Sequence, residues 1–270
     1  TGHSARDSWE IMLRVGAAAE VRPIRIGARI EHPQKLIDIG RYGQERGELP
    51  PASYRFVSKP KKGRGAHTFC MCPGGTVVGA TAQMGRVVVN GMSYSGRRAF
   101  YANSAIIVQV ELEDYDGRDP MAGVRFQDVI EKRAYELSQQ SFQAPAQNVL
   151  DFLRKEKSTD IRKTSFPQGV VPCNLWELFP LEIAEGLKAA ILHFDKKIPG
   201  FASGDGVLIA PETRTSAPIR FLRDDDLFST TVSGLMPVGE GAGYAGGIAS
   251  AALDGFRAVQ SIVRMIKANH

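Results

Sequence analysis

The stretch GLMPVGEGAGYAGGIASAALDG, residues 234–255, constrains the fold of this chain more than any other. It sets six of its seven glycines around the carboxylate of Glu240 and then runs into an apolar segment. Leu235 to Val238 read as a short buried strand end, after which Gly239, Gly241 and Gly243 let the backbone turn tightly and approach a ligand. Beyond Gly247, residues Ile248, Ala252, Gly255, Val259, Ile262, Val263 and Ile266 recur at helical spacing while Asp254 and Arg257 leave the stripe, which predicts an amphipathic helix. The helix start at Gly246 and Gly247 offers unpaired N–H groups and partial positive charge, suited to a phosphate or an electron-rich ring oxygen. A carboxylate beside such a start repels phosphate but accepts hydrogen bonds from polyol hydroxyls. The segment therefore fits a ligand carrying both features. The alternative is a tight strand-to-helix turn with a solvated glutamate.

The bulk numbers set the frame for that turn. With 270 residues, 43% hydrophobic and 23% charged, the chain is long enough for one large or two medium domains with a sizeable core. The formal charge of +5, from 34 basic and 29 acidic residues, mildly favours anionic partners. Three cysteines, at 70, 72 and 173, form no disulfide framework, so a reducing cytoplasm is expected. No apolar run reaches membrane-spanning length. The opening TGHSARD reads like the middle of a domain, so the chain is expected to be a fragment.

Along the chain, SARDSWEIMLRVGAA predicts a short amphipathic helix with Ser4 as cap and Trp9, Met12 and Leu13 on its apolar side. In EVRPIRIGARIEHP, the isoleucines 24, 26 and 30 share one parity, as in a half-buried strand that Pro33 stops. Residues 34–66 look like surface, with one helical turn and the basic loop KPKKGRG. From 68 to 112, short β-rich runs predict an antiparallel sheet, with Asn90-Gly91 as a tight hairpin turn. Residues 124–139 and the AQNVLDFLRKE segment after Pro145 read as helices. Another follows Pro180, with Ile183, Leu187, Ile191 and Phe194 along one side. GVLIAPETRTSAPIRFL returns to strands.

The glycine turn resembles the C-terminal FAD motif of flavoproteins in the glutathione-reductase-like superfamily, in which a strand ends in G-x-x-x-x-G-D/E. More narrowly, the chain resembles a family of uncharacterised FAD-dependent (NAD-utilising) dehydrogenases through TGHSARD, GARIEHPQ, FCMCPGG, NGMSYS, KIPGF, ETRTSAPIR and GEGAGYAGGIASAALDG. The resemblance implies that Glu240 binds the ribityl chain and that the following helix points its start at the flavin ring. It also implies that Thr1 and Gly2 end a strand of the FAD domain. FAD contacts are then expected from Thr1, Gly2, Gly239, Glu240, Gly241, Gly243, Gly246, Gly247 and Ile248. Most of the superfamily carries Asp where Glu240 stands. A G-x-G-x-x-G fingerprint with its following acid is not found. The expected fold is thus α/β with an α+β insert. Residues 1–22 and 205–270 are parts of a partial FAD/NAD(P)-binding Rossmann-like domain, and 23–204 form an inserted substrate-side domain, β-rich over 68–112 and helical over 124–198.

Arg214, Thr215, Ser216, Tyr244, Cys70 and Cys72 are candidates for the flavin or substrate side, and no catalytic acid or base is assigned. In a strand, Cys70 and Cys72 would face one side before the Pro-Gly-Gly turn; C-x-C with no second pair argues against a metal site. The resemblance implies hydride transfer between FAD and an unknown small molecule, with NAD(P)H as a candidate donor, and the isolated fragment is expected to be inactive. Rival readings are a flavin-dependent RNA-modifying enzyme, for which KPKKGRG with Tyr54, Phe56 and Phe69 would supply charge and stacking, and a non-catalytic interaction module. A solvated basic loop is favoured over a nucleic-acid site, and an exposed apolar edge would promote self-association.

Overall fold

The computed structural model describes residues 1–115 and 117–268. In chain order the main elements are α1 (Arg6–Arg14), β1 (Ala19–Val21), β2 (Ile24–Pro33), α2 (Gln34–Tyr42), β3 (Val57–Ser58), β4 (Ala66–Cys72), β5 (Thr76–Gly79), β6 (Val89–Met92) and β7 (Tyr101–Val110). They are followed by α3 (Ala122–Leu137), β8 (Ala144–Asn148), α4 (Val149–Arg154), β9 (Val170–Pro172), α5 (Leu181–Asp195), β10 (Val207–Glu212), β11 (Ile219–Phe221) and α6 (Ile248–Ala268). The chain divides into two compact units, one of Thr1–Arg25, Val110–Gln127 and Arg214–His270, the other of Ile26–Gln109 and Asp128–Thr213.

The larger unit is built on a seven-stranded sheet in the order β3-β4-β7-β2-β10-β8-β9. The strands expected over 68–112 do pair antiparallel, β4 with β7 and β5 with β6, but the seven-stranded sheet as a whole is mixed, because β9 pairs with β8 in parallel. It also draws strands from well outside 68–112. Pro145 lies inside β8 and not before a helix; α4 begins only at Val149. The apolar side of α5 is buried as its spacing predicts, with Ile183, Leu187, Ile191 and Phe194 in the core. Its Gly186 faces Val108 of β7, where a Cβ would come within 2.7 Å of Val108 Cγ1. Tyr54 and Phe56, stacked at 5.0 Å between ring centroids, join Phe194 and Phe201 in one aromatic cluster. Both rings are buried, so neither is presented for base stacking beside the basic loop.

Two strand expectations change. β2 is buried on both faces: Ile24, Ile26 and Ile30 fill the even side, while Arg29 and Glu31 on the odd side are equally enclosed. Asn90 and Gly91 make no hairpin turn but sit within β6, opposite Val78 and Val77 of β5. Gly91 is needed there because a Cβ would lie 2.2 Å from Asn103 Oδ1 and 2.4 Å from Arg29 Nη1.

The smaller unit pairs β1 with β11 antiparallel. Its core joins Trp9 of α1 to Val124, Ile219 and Phe221, with Met12, Leu13 and Leu235 packed against them. Ser4 does not cap α1; Ala5 holds that position without a side-chain bond, and Ser4 Oγ accepts a hydrogen bond from Arg214 instead. Residues 235–238 form no strand. α6 exposes the stripe expected to be its packing face: Ile248 is 94% and Val259 58% accessible, and Ile262, Val263 and Ile266 are also exposed. The buried residues of α6 are Asp254, Ala258 and Ser261. Hydrogen bonds, not apolar burial, set this orientation, since Asp254 pairs with Arg223 and Ser261 Oγ donates to Asp226 O. Among the described residues no helix is long and apolar enough to cross a membrane.

Gly27 of β2 is the tightest point of the sheet, where a Cβ would stand 1.8 Å from the Ile106 carbonyl oxygen of β7. Backbone, not a flexible side chain, would have to move. Gly27→Ala is therefore expected to cost about 3 kcal/mol of stability, read as a lowered urea midpoint. A midpoint within error of the parent would refute the close approach.

Candidate functional site

In the smaller unit the glycine turn folds against the start of the chain. Gly241 N–H donates to Thr1 O at 3.2 Å, and a Cβ on Gly241 would fall 2.7 Å from the same oxygen. Gly239 and Gly243 have φ of +84° and +86°, a region that favours glycine. Gly243 also passes close to β11, where a Cβ would meet Ile219 O at 2.4 Å. Three side chains pin the turn from outside. The Trp9 indole donates to Gly241 O at 2.6 Å. Asp254 Oδ2 accepts from Gly239 N–H at 2.8 Å, and both Asp254 oxygens are held by Arg223, at 2.9 and 2.8 Å. Arg223 in turn donates to Pro237 O.

This packing places Glu240 beside Gly2, whose added Cβ would lie 3.6 Å from Glu240 Oε2. The carboxylate accepts the backbone N–H of His3, and burial pushes its pKa up against that bond. It is half-buried, with lone pairs left for hydroxyl donors. His3 is buried, with Nε2 3.2 Å from Gln127 Oε1, which also accepts from Arg6 at 3.4 Å. Burial pulls the His3 pKa down to about 3, the Gln127 contact opposing it, so the imidazole is neutral at physiological pH. An apolar cavity of about 310 Å³ lies against Thr1, Trp9, Met12, Val238 and Gly241.

The other candidates of this unit fall in two groups. Arg214 bonds Ser4 Oγ at 2.8 Å, and Thr215 Oγ1 donates to Arg25 O at 3.1 Å. Ser216 Oγ is buried and, among the described residues, has no hydrogen-bond partner. Tyr244 donates its hydroxyl to Phe221 O, and its ring lies 3.5 Å from the Arg223 guanidinium carbon. Gly246, Gly247 and Ile248 form an exposed start of α6, where Gly247 N–H meets Ser250 Oγ at 3.1 Å. Trp9, Gln127, Arg223 and Asp254 were not visible as site residues in the sequence. Asp254 had a signal: a carboxylate beside an apolar stripe, fifteen residues from the glycine whose N–H it accepts.

The larger unit holds a second polar centre around Arg29 of β2. The fully buried guanidinium makes a two-pronged pair with Glu212 of β10, through Nε to Oε2 and Nη2 to Oε1, the latter at 3.0 Å. It also donates to Cys70 O at 2.7 Å, Asn103 Oδ1 at 3.1 Å and Asn90 Oδ1 at 2.7 Å. Burial opposes its charge, but Glu212 outweighs that and holds Arg29 above its ordinary pKa. Cys70 and Cys72 do not face one side. The pairing of β4 with β7 slips between Phe69 and Cys72, Cys70 takes φ +43° and is exposed, and Cys72 is buried with its thiol donating to Cys70 O at 3.2 Å. Burial pushes both thiols up, against the pull of Arg29. Among the described residues no group of three or more His, Cys, Asp or Glu is placed to hold a metal ion.

Residues 23–215 match the family described as FAD-dependent protein, C-terminal domain-like. The chain belongs to this family. A protein of Clostridium beijerinckii that is itself described only as uncharacterized is 44% identical over 267 residues, covering 97% of this chain and 50% of that protein. The chain thus spans about half the length of the curated relative it matches. Membership in a family of FAD-dependent proteins points to a flavoprotein, and the glycine-rich turn lies beyond the matched residues.

Two outcomes follow from these buried charges. His3, at about 3 when folded against 6.5 as its ordinary value, leaves the unfolded chain binding a proton that the folded chain does not. Stability therefore rises with pH across that window and is lost as pH falls from 6.5 toward 3, by up to about 1.4 kcal/mol per pH unit. Urea midpoints at pH 7 and pH 5 should converge in His3→Gln relative to the parent; an unchanged difference would sink this assignment. Arg29→Met strands the Glu212 carboxylate and is expected to cost about 3–5 kcal/mol. Adding Glu212→Gln should then cost far less than it does alone, a coupling that a double-mutant cycle in urea measures.

Proposed function

We propose that the chain is the C-terminal portion of an FAD-dependent oxidoreductase, a dehydrogenase moving hydride between flavin and a small-molecule substrate, with NAD(P)H as electron donor. The observation that carries this reading is the Glu240 carboxylate, half-buried beside Gly2 and set by the His3 N–H in a turn where Gly241 and Gly243 leave no room for side chains. Those features fit a polyhydroxylated dinucleotide: an acceptor for ribityl hydroxyls, and bare backbone at Thr1, Gly2, Gly239, Gly241 and Gly243 for close approach. When bound, the flavin supplies the redox chemistry, and the protein supplies orientation and electrostatics. The start of α6 at Gly246, Gly247 and Ile248 provides partial positive charge toward an electron-rich ring. Neutral His3, its Nε2–H given to Gln127 Oε1, keeps Nδ1 as an acceptor without adding a cation, and Ser216 brings a buried hydroxyl with bonding capacity to spare.

In this reading the smaller unit is part of a Rossmann-like FAD domain, whose remaining nucleotide contacts lie outside these 270 residues. The relative that is twice as long as its matched region supports this. The larger unit serves the substrate side, with Cys70 exposed at its surface and Cys72 behind it. Three free thiols fit a reducing compartment, the cytoplasm. The outward apolar stripe of α6 favours association with another polypeptide surface.

Flavin content tests the proposal. The protein expressed with all the sequence its gene encodes should purify yellow with FAD near one per chain. Glu240→Ala should weaken FAD binding about 10- to 100-fold, the worth of hydrogen bonds to a charged acceptor. A colourless preparation that takes up no added FAD would exclude the oxidoreductase reading.

A further inference from the structure

A second cavity, of about 420 Å³, opens in the larger unit at the start of α2. Its walls carry Lys35, Arg46, Arg97 and Arg98, with Asp38, Glu45 and the ring of Phe100. The two carboxylates are already used: Asp38 pairs with Arg46 at 3.0 Å, and Glu45 pairs with Lys35. Arg97 and Arg98 are the surplus, and among the described residues neither has a carboxylate partner. The cavity wall thus carries two consecutive arginines with no carboxylate partner among the described residues.

Their backbone is fixed in advance. Arg97 sits at φ +46°, its N–H bonded to Tyr94 O, and Ala99 N–H reaches Gly74 O at 3.2 Å. A Cβ on Gly74 would lie 2.0 Å from Arg97 O, so the arginine turn rests directly on the Pro-Gly-Gly turn. Gln34, nearly buried, ties the floor together: it accepts Gly74 N–H at 2.6 Å, donates to Asp38 and Ala52 O, and its own N–H meets Phe100 O at 2.8 Å. A held turn loses little freedom when it closes on a ligand. Guanidinium forks match the oxygens of a phosphate group. Phe100 is 69% exposed and meets Tyr101 edge-on, which leaves ring surface open on the cavity side. The volume suits a small molecule and not a polymer.

We propose that this cavity binds a phosphate monoester carrying a planar ring, of nucleoside-monophosphate size, with Arg97 and Arg98 on the phosphate and Phe100 against the ring. The site stands apart from the flavin reading and does not depend on it.

Calorimetric titration of the full-length protein with adenosine 5′-monophosphate, inorganic phosphate and adenosine separates the contributions. Saturable one-to-one binding of the monophosphate is expected, with phosphate about tenfold weaker and adenosine weaker still. Arg97→Gly with Arg98→Gln should weaken monophosphate and phosphate alike by about tenfold or more, glycine keeping the left-handed backbone so that the fold is preserved. Phe100→Ala should erase the advantage of the monophosphate over phosphate. Lys61→Gln with Lys62→Gln, in the exposed basic loop, should change nothing. Unchanged affinity in the arginine variant would overturn the proposal, as would adenosine binding as tightly as its monophosphate. A single-stranded oligonucleotide displacing the monophosphate with steep salt dependence would also overturn it, in favour of a nucleic-acid surface.

Discussion

The larger unit depends on one buried cation. Arg29 sits at the middle of a ten-residue strand with no access to water, and a guanidinium there is tolerable only if its donors are met. Five groups from four separate segments meet them: Glu212, Cys70 O, Asn90, Asn103 and, at 3.9 Å, the Cys72 sulfur. The requirement fixes more than a contact. It decides that β10 ends beside β2 with a carboxylate, that β6 carries glycine where it crosses the guanidinium, and that β4 bulges so as to turn the Cys70 carbonyl inward. Glu31, two residues along the same face, repeats the theme with Arg162 and Ser165.

The smaller unit solves a different problem. A glycine-rich turn has high conformational entropy, so a defined shape needs restraints from outside it. Trp9, Asp254 and Arg223 supply them from three separate segments, and the cost of enclosing Asp254 is offset by two guanidinium bonds and one backbone N–H. That use of the inner face of α6 explains why its apolar residues point away. The glycines and Glu240 are thereby held in one shape.

Local periodicity made some of this legible. The spacing of Ile183, Leu187, Ile191 and Phe194, at intervals of four, four and three residues, specifies which side of α5 is buried, because apolar contact alone decides it. The strands between 66 and 110 were legible as β-rich runs, but not the course of β6, which carries Asn90 and Gly91 where a hairpin turn is expected. Alternation misled at β2, since polar residues at odd positions look solvated whether they face water or a network of partners distant in sequence. Order within the sheet, where β10 lies between β2 and β8, depends on pairings no local window contains. The glycine turn is legible in sequence through its resemblance to an FAD motif, while the nearness of Gly2 to Glu240 is a long-range fact of the fold. Arg223 and Asp254, which hold the turn, carried no motif at all.

Cys70 has one further consequence. A non-glycine residue in the left-handed region stores strain of about 1 kcal/mol, and glycine would relieve it at this bulge. Replacing Cys70 by glycine would therefore relieve backbone strain and remove an exposed thiol in a single step.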